Sequence, residues 1–351
     1  MSLVDALRGQ YGTVGLFSAV QRLFLSFVPC ALAGSFLLDA PFGRFGTWGN
    51  ALNVSGDWGW LLMEACSPLA FLWSLAAPLT TSPLSHWPPF SPSAILGALS
   101  ALPPARKVLA TLFLVHYANR SVIGTLRNPG RAPMHLVIPL LSALFNLANG
   151  GTLGAWLSAG GRAASTATGG TTGLKPPSSS SSSLGSSAPS ALFCIGVGLW
   201  AAGFAGNIFH DEHLYALKRA RRRSLAKGKA KASSSSGKPP AHDRYAIPTR
   251  GLYALVSHPS YLCEWLEWAG FLLAALQLAP APFPSSSSTL SGSGSLRPFE
   301  KWYLQPPALF LLQEVAAMLP RARSGHRWYR ETFGKEWEDK GARWAVLPGL
   351  Y

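Results

Sequence analysis

Charge is scarce in this chain. Only 13% of its 351 residues are Asp, Glu, Lys or Arg, against roughly 25% in an average soluble domain. Acids are scarcer still, with 15 Asp and Glu against 30 Lys and Arg. Low charge beside 48% hydrophobic residues and 13 Trp argues against a soluble domain and for an integral membrane protein. The four cysteines, Cys30, Cys66, Cys194 and Cys263, form no CxxC pair. That leaves no basis for a disulfide framework or a zinc site. HxxxH and HExxH are also missing, so no metal is expected. GxGxxG is absent too, so a nicotinamide site would have to be formed by helices and not by a Rossmann turn. Tandem repeats and solenoid periods are lacking, and no long soluble stretch is present to form a second core.

Long apolar runs are there instead. Seven stretches read as membrane crossings, near 12–38, 57–79, 106–126, 133–157, 191–210, 251–278 and 301–319, given the tilt and interruption tolerated in polytopic proteins. The first holds Gln21 and Arg22 and lacks a basic leader and a small-residue cleavage site, so it reads as a retained helix. A basic loop is expected at 211–250, with eleven Lys or Arg including RARRR at 219–223, and the tail after 320 is also basic. With seven crossings both fall on one side, which the positive-inside rule makes cytosolic. Anionic lipid headgroups are the natural neighbours of this charge, and no nucleic-acid partner is expected.

The expected architecture is an all-α integral membrane protein, a seven-helix bundle forming one domain over 1–351. Low-complexity stretches at 158–190, 224–241 and 280–298 read as loop insertions, because Gly- and Ser-rich segments bury little. SSSSGKPP at 233–240 belongs to the cytosolic connection, and Pro-rich SHWPPFSPS at 85–93 separates the second and third helices.

Polar groups placed within the apolar runs carry the functional signal. At membrane depth they are costly unless paired or solvated, so they point to an internal polar chamber. Glu64 sits in WGWLLMEACSPLAFLW with no basic neighbour in its own helix. A carboxylic acid so placed favours its neutral form and would donate a hydrogen bond to a carbonyl oxygen gaining charge. His116, Tyr117 and Arg120 close the third run; they serve equally as site groups or as interfacial anchors. RNPGR at 127–131 reads as a turn carrying Arg127, Asn128 and Arg131 toward the cytosol. Asn207 and Asp211, four apart, share a helical face. In YAIPTRGLYALVSHPSYLCEWLEW at 245–268, Pro248, Gly251 and Pro259 suggest a broken helix, which membranes tolerate where it lines a cavity. Glu264 and Glu267 lie three apart within it. In the tail, Arg321, His326, Arg327 and Tyr329 suit a phosphorylated cofactor with a planar ring, or else an amphipathic interfacial helix.

These blocks resemble the steroid 5-alpha-reductase family, in its steroid and plant-steroid reductase branch. The likeness spans nearly the whole chain. It is strongest in HYANR…RNPGR, GNIFHDEHLYALKR, the 245–268 run and HRWYRETF…RWAVLPGLY, with APFGRFG at 40–46 and the position of Glu64 adding to it. The resemblance implies a multi-pass reductase of the endoplasmic reticulum that uses NADPH on a 3-oxo-4-ene steroid, with cofactor and lipid-like substrate sharing one cavity. By position, Glu64 and Tyr117 would be catalytic and hold the C3 carbonyl oxygen, with Trp60 as a further substrate contact. Asn128, Arg131, Asn207, Asp211, Lys218, Tyr245, Ser260, Glu264, Arg321 and Tyr329 would line or support the cofactor site. Ser260 stands where the family commonly has Asn, Ala246 where an Arg can occur, and Gly325 where some members have His. Those departures leave room for a shifted cofactor geometry or a different sterol-like substrate. Two alternatives stay open. A trans-2-enoyl-CoA reductase performs the same conjugate reduction, although related members usually carry a soluble amino-terminal domain. Membrane methyltransferases using S-adenosylmethionine share an RHPxY-type region, for which this chain has SHPSY.

Overall fold

A bilayer offers the backbone no hydrogen-bond partners, so apolar runs of this length fold as helices. In a computed structural model, residues 3–37, 43, 51–77, 89–169, 189–231, 245–278 and 302–350 are described. Outside the described residues lie the 40–46 motif apart from Gly43, residues 85–88 of the Pro-rich connector, SSSSGKPP and the 280–298 insertion. Residues 170–188 and 232–241 of the other two low-complexity stretches lie outside as well.

The described helices are α1 Leu3–Leu37, α2 Gly56–Ala76, α3 Pro92–Ala101, α4 Pro104–Tyr117, α5 Gly124–Arg127, α6 Val137–Gly169, α7 Ala191–Lys231, α8 Pro259–Ala275, α9 Pro306–Phe333 and α10 Lys335–Lys340. A π-helical segment, Ala118–Ile123, joins α4 to α5. Proline opens α3, α4, α8 and α9, where its missing N–H costs nothing and its fixed φ suits the first turn. Four helices among the described residues are long and apolar enough to cross a membrane: Gly15–Gly34, Gly56–Ala76, Val137–Ala159 and Ala191–Ala226. The break expected at Pro259 is present: a 3-10 turn at Gly251–Ala254 precedes α8.

Two boundaries differ from the sequence reading. The segment 211–231 is not a loop, because α7 continues without interruption to Lys231. Lys, Arg and Ala are strong helix formers, and charge alone does not end a helix. At 41 residues α7 is about 60 Å long, roughly twice the hydrocarbon core; its basic end is a helical arm. Likewise α6 runs through Gly169, into the stretch expected to be a loop from residue 158. A small departure from the all-α expectation is the antiparallel pair β1 Asn53–Val54 and β2 Met134–His135. It clamps the start of α2 to the start of α6.

Helix pairs set the site. In lipid, small residues let backbones approach and pack. A Cβ on Gly150 of α6 would lie 2.0 Å from the Ser67 carbonyl of α2. One on Gly203 of α7 would lie 2.4 Å from the Glu267 nitrogen and 2.5 Å from the Cys263 carbonyl of α8. These two contacts lock α2 to α6 and α7 to α8 at the depth of the acidic residues. Between the pairs lies an aromatic core. Phe71 stacks on Phe113 at 4.5 Å, and Trp268 meets Phe310 edge-on at 4.5 Å; such pairs add about 0.5–1.5 kcal/mol each beyond simple burial. Gln313 Nε2 donates to the Phe24 carbonyl at 2.5 Å, tying α9 to α1. The tail is held by backbone pairing: Ser257 N donates to Trp344 O at 2.9 Å and His258 N to Ala345 O at 3.0 Å.

Candidate active site

Glu64 projects from the middle of α2 and is buried. Opposite it, the π-helical segment carries Arg120, whose Nε lies 3.4 Å from Glu64 Oε1. Nη1 of the same guanidinium lies 3.4 Å from Glu264 Oε2 on α8. Arg120 is thus a fork with one carboxyl group on each prong. Glu264 also accepts from Asn207 Nδ2 at 3.2 Å, and that amide donates to the Ser260 carbonyl at 3.3 Å. Ser260 Oγ donates to Asp211 Oδ1 at 2.8 Å. One polar chain therefore runs Glu64–Arg120–Glu264–Asn207–Ser260–Asp211, across α2, the π-helical segment, α8 and α7. The close approach at Gly203, one turn before Asn207, makes the α7–α8 links geometrically possible.

Trp60, one turn before Glu64, meets two guanidinium groups. Arg120 is 4.8 Å and Arg131 4.6 Å from its ring centre, both within cation–π range. Its indole N–H donates to the Arg120 carbonyl at 3.2 Å. Arg131 is held in turn by Asp57, through its backbone N at 3.0 Å and Nη1 at 3.3 Å. Burial lowers the Arg131 guanidinium from its ordinary value, opposed by Tyr215 and Asp57.

Tyr117 is 2% exposed and belongs to a second polar group. Its hydroxyl donates to Asn146 Oδ1 at 3.2 Å and accepts from Asn149 Nδ2 at 3.1 Å. Asn149 also reaches Ser67 Oγ at 3.4 Å, one turn beyond Glu64 on α2. Tyr117 and Glu64 thus sit on facing walls, joined through Ser67. Beside them His116 Nδ1 meets Glu267 Oε1 at 2.7 Å in full burial. Among the described residues, Glu267 Oε2 has no hydrogen-bond partner.

The end of the bundle that carries the RNPGR turn is rich in cations. Arg127 and Arg219 both pair with Glu212, at 3.0 and 3.5 Å, and Arg222 donates to the Pro129 carbonyl in the RNPGR turn. Lys218 is exposed and forms no ion pair among the described residues, although Arg131, Arg222, Asp211 and Asp57 all act on it electrostatically. Asn207, Asp211, Tyr215 and Lys218 form one stripe on α7, and the Asn128 side chain accepts from Gly130 N at 3.1 Å within the RNPGR turn. Surplus positive charge at one end, with amide and carboxylate groups further in, fits a ligand that is anionic at one end and an amide-bearing ring at the other. Arg131, Lys218 and Asn128 lie toward the first end, and Asn207 and Glu264 lie further in.

Three predicted residues lie in the tail, outside this chain of contacts. Tyr245 packs edge-on against Trp328 at 4.9 Å, and Tyr329 stacks on Trp337 at 4.6 Å. Both belong to an aromatic cluster in the tail with Phe333 and Ala342. Arg321 lies on α9 two turns before Tyr329, alongside Gly43. Between Arg321 and Tyr329 comes Gly325, where a Cβ would fall 2.4 Å from His258 Nε2. The missing side chain at 325 is therefore space taken by the His258 imidazole. His258 Nδ1 and His326 Nδ1 share Ser257 Oγ, at 2.8 and 3.1 Å, so this cluster adjoins the polar chain through the start of α8.

Several contributing residues went unmarked in the sequence reading. Asn146 and Asn149, an amide pair three apart in the apolar run LFNLANGG, carried the same signal as Glu64. Glu314 on α9 is in electrostatic contact with Glu264, Arg120, Glu64 and Glu267; an acid inside PPALFLLQEVAAM was its visible sign. A separate cavity of about 200 Å³, lined by Trp73, Ala76, Phe90, Ala94 and Ile95, lies near the far end of α2 and is apolar.

Comparison with known proteins places this arrangement. Residues 132–290 match the sequence model of a family described as 3-oxo-5-alpha-steroid 4-dehydrogenase. An uncharacterised protein of Schizosaccharomyces pombe is 31% identical over 328 residues, covering 92% of this chain and 93% of its own. The chain belongs to the steroid 5-alpha-reductase family. Within that family, the 3-oxo-5-alpha-steroid 4-dehydrogenase 1 of Bos taurus is 25% identical over 298 residues, covering 85% of this chain and 83% of its own. The steroid 5-alpha-reductase DET2 of Arabidopsis thaliana is 25% identical over 320 residues, covering 90% of this chain and 88% of its own.

Proposed function

We propose that this chain is a seven-span reductase of the endoplasmic reticulum membrane that reduces the 4,5 double bond of a 3-oxo-4-ene steroid to the 5-alpha-dihydro product. The basic arm of α7 and the carboxyl terminus lie on the cytosolic face, where NADPH is available and anionic headgroups favour the charge. The observation that carries this reading is the unbroken chain from Glu64 through Arg120 to Glu264, Asn207 and Asp211. It ties the substrate-side acid to the residues assigned to the cofactor, as one shared cavity requires.

The roles follow from the chemistry of each group. Arg131, Lys218 and Asn128 would hold the phosphate-bearing part of NADPH, with Asn207, Asp211, Ser260 and Glu264 toward the nicotinamide. Tyr245, Arg321 and Tyr329 would support it from the tail. When bound, NADPH supplies the hydride that is delivered to C5. Glu64, as a carboxylic acid whose Oε1 still accepts from Arg120, and Tyr117 donate hydrogen bonds to the C3 oxygen as charge moves onto it, and Trp60 packs against the substrate. Preorganised donors of this kind lower the barrier because they are already aimed where charge appears. A proton then adds at C4. Glu64 and Tyr117 are both buried, and a hydrogen bond made away from water is electrostatically stronger.

Purified protein incubated with NADPH and either a 3-oxo-4-ene steroid panel or trans-2-enoyl-CoA, with products read by mass spectrometry, tests the assignment. A gain of two mass units on the steroid is expected. Reduction of the thioester alone would move the chain to fatty-acid elongation, and methyl transfer in a parallel incubation with S-adenosylmethionine, with no NADPH consumed, would remove reduction altogether.

A further inference from the structure

We infer that Asn149 is a positioning residue for the reaction, acting through the Tyr117 hydroxyl. The inference rests on the proposed role of Tyr117 in holding the C3 oxygen. A phenol has one proton and lone pairs to accept with. Here the proton goes to Asn146 Oδ1 at 3.2 Å, while Asn149 Nδ2 donates to the phenol oxygen at 3.1 Å. The other contact of that amide nitrogen is Ser67 Oγ at 3.4 Å. All four residues are almost completely buried: Ser67 at 0%, Asn149 at 1%, Tyr117 at 2% and Asn146 at 4%. Buried amides are costly unless paired. This closed group persists inside an apolar bundle because each member satisfies another.

The two amides differ in what they do once a carbonyl arrives. To donate to the C3 oxygen, Tyr117 must withdraw its proton from Asn146. The bond from Asn149 needs no such change, since it enters on the lone-pair side. It fixes where the phenol oxygen sits, leaves the proton free to swing, and stabilises the oxygen as it shares charge with the substrate. Asn149 is held for this by its neighbour: Gly150 lets α6 approach α2 so closely that a Cβ there would be 2.0 Å from the Ser67 carbonyl. The amide therefore has no slack to drift from the phenol.

A double-mutant cycle tests the inference. Asn149→Leu matches the volume and removes the donor; Asn149→Ala repeats the comparison with space left for water. Either change should lower kcat about ten- to hundredfold, the worth of one hydrogen bond to a group gaining charge, with KM for the steroid nearly unchanged. In the Tyr117→Phe background the same change should cost no further rate, since the atom it acts on is gone. Thermal unfolding of each variant in detergent provides the folding control. Losses that multiply in the double variant, or wild-type kcat in both Asn149 variants, would overturn the inference while leaving the steroid assignment standing. A wild-type enzyme that reduces no steroid enone would overturn both.

Discussion

Removing the Arg120 guanidinium separates stability from chemistry more cleanly than any other change. Its two contacts, each 3.4 Å, are long for N–H···O hydrogen bonds, so each belongs at the low end of the range for charged groups, about 1.5 kcal/mol. The carboxylates at its prongs are only 10% and 4% exposed while the arginine side chain is 23% exposed. Solvent screening is therefore weaker than at a surface pair, which would contribute under about 1 kcal/mol. Together the two prongs amount to about 3 kcal/mol. Arg120→Leu should lower stability by about 2–3 kcal/mol, since Asn207 still supports Glu264, and turnover by about a hundredfold as Glu64 loses its fixed place. Arg120→Lys restores a positive charge but not the fork, because one ammonium cannot occupy two separate prongs. It should recover most of the stability and little of the rate. Unfolding in detergent, paired with turnover by product mass spectrometry, reads both quantities. Wild-type turnover in Arg120→Leu, or full recovery of rate in Arg120→Lys, would refute the reasoning.

Other outcomes follow from single contacts. Glu64→Gln keeps an amide donor but loses the acid; turnover should fall by about 2.7–4 kcal/mol of barrier with the melting temperature unchanged. Asp211→Ala breaks the Ser260 bond and should raise the KM for NADPH about tenfold with little change in kcat, a pattern that steady-state kinetics separates. Gly203→Leu drives a side chain into the Glu267 and Cys263 backbone and should cost about 3 kcal/mol or more, seen as lost monodisperse protein. Burial, with Arg330 adding to it, holds the His326 imidazole below its ordinary 6.5. The unfolded chain then takes up this proton more readily, so the stabilisation is full above about pH 6.5 and lost as pH falls toward the folded value. Thermal stability should drop on acidification, and drop less in His326→Gln.

The polar intruders in apolar runs were the legible part of the site. Glu64, Tyr117, Asn207, Asp211 and Glu264 stand out because a bilayer makes such residues expensive, and the structure gives each a partner. Their pairings were not legible. Nothing local tells that Arg120 bridges two helices, since its prongs reach residues 56 and 144 positions away. Asn146 and Asn149 carried the same signal as Glu64 in a weaker form, neutral amides being less conspicuous than an acid. The helices were readable from length and hydropathy, and the break at Pro259 from the proline itself. The basic end of α7 was misread as a loop because charge placement reports which side of the membrane a segment occupies, not its backbone conformation. Gly325 looked like a plain departure from the family; only the fold reveals the His258 ring against it.

The destination of the hydride decides the proposed reaction. Incubating the enzyme with NADPH deuterated at nicotinamide C4 and a 3-oxo-4-ene steroid, then locating the label by fragmentation and deuterium NMR, reads this directly. The predicted product carries one deuterium at C5, on the alpha face, with hydrogen from solvent at C4. Label at C3 as a carbinol, or no label in a steroid that is nonetheless consumed, would contradict it.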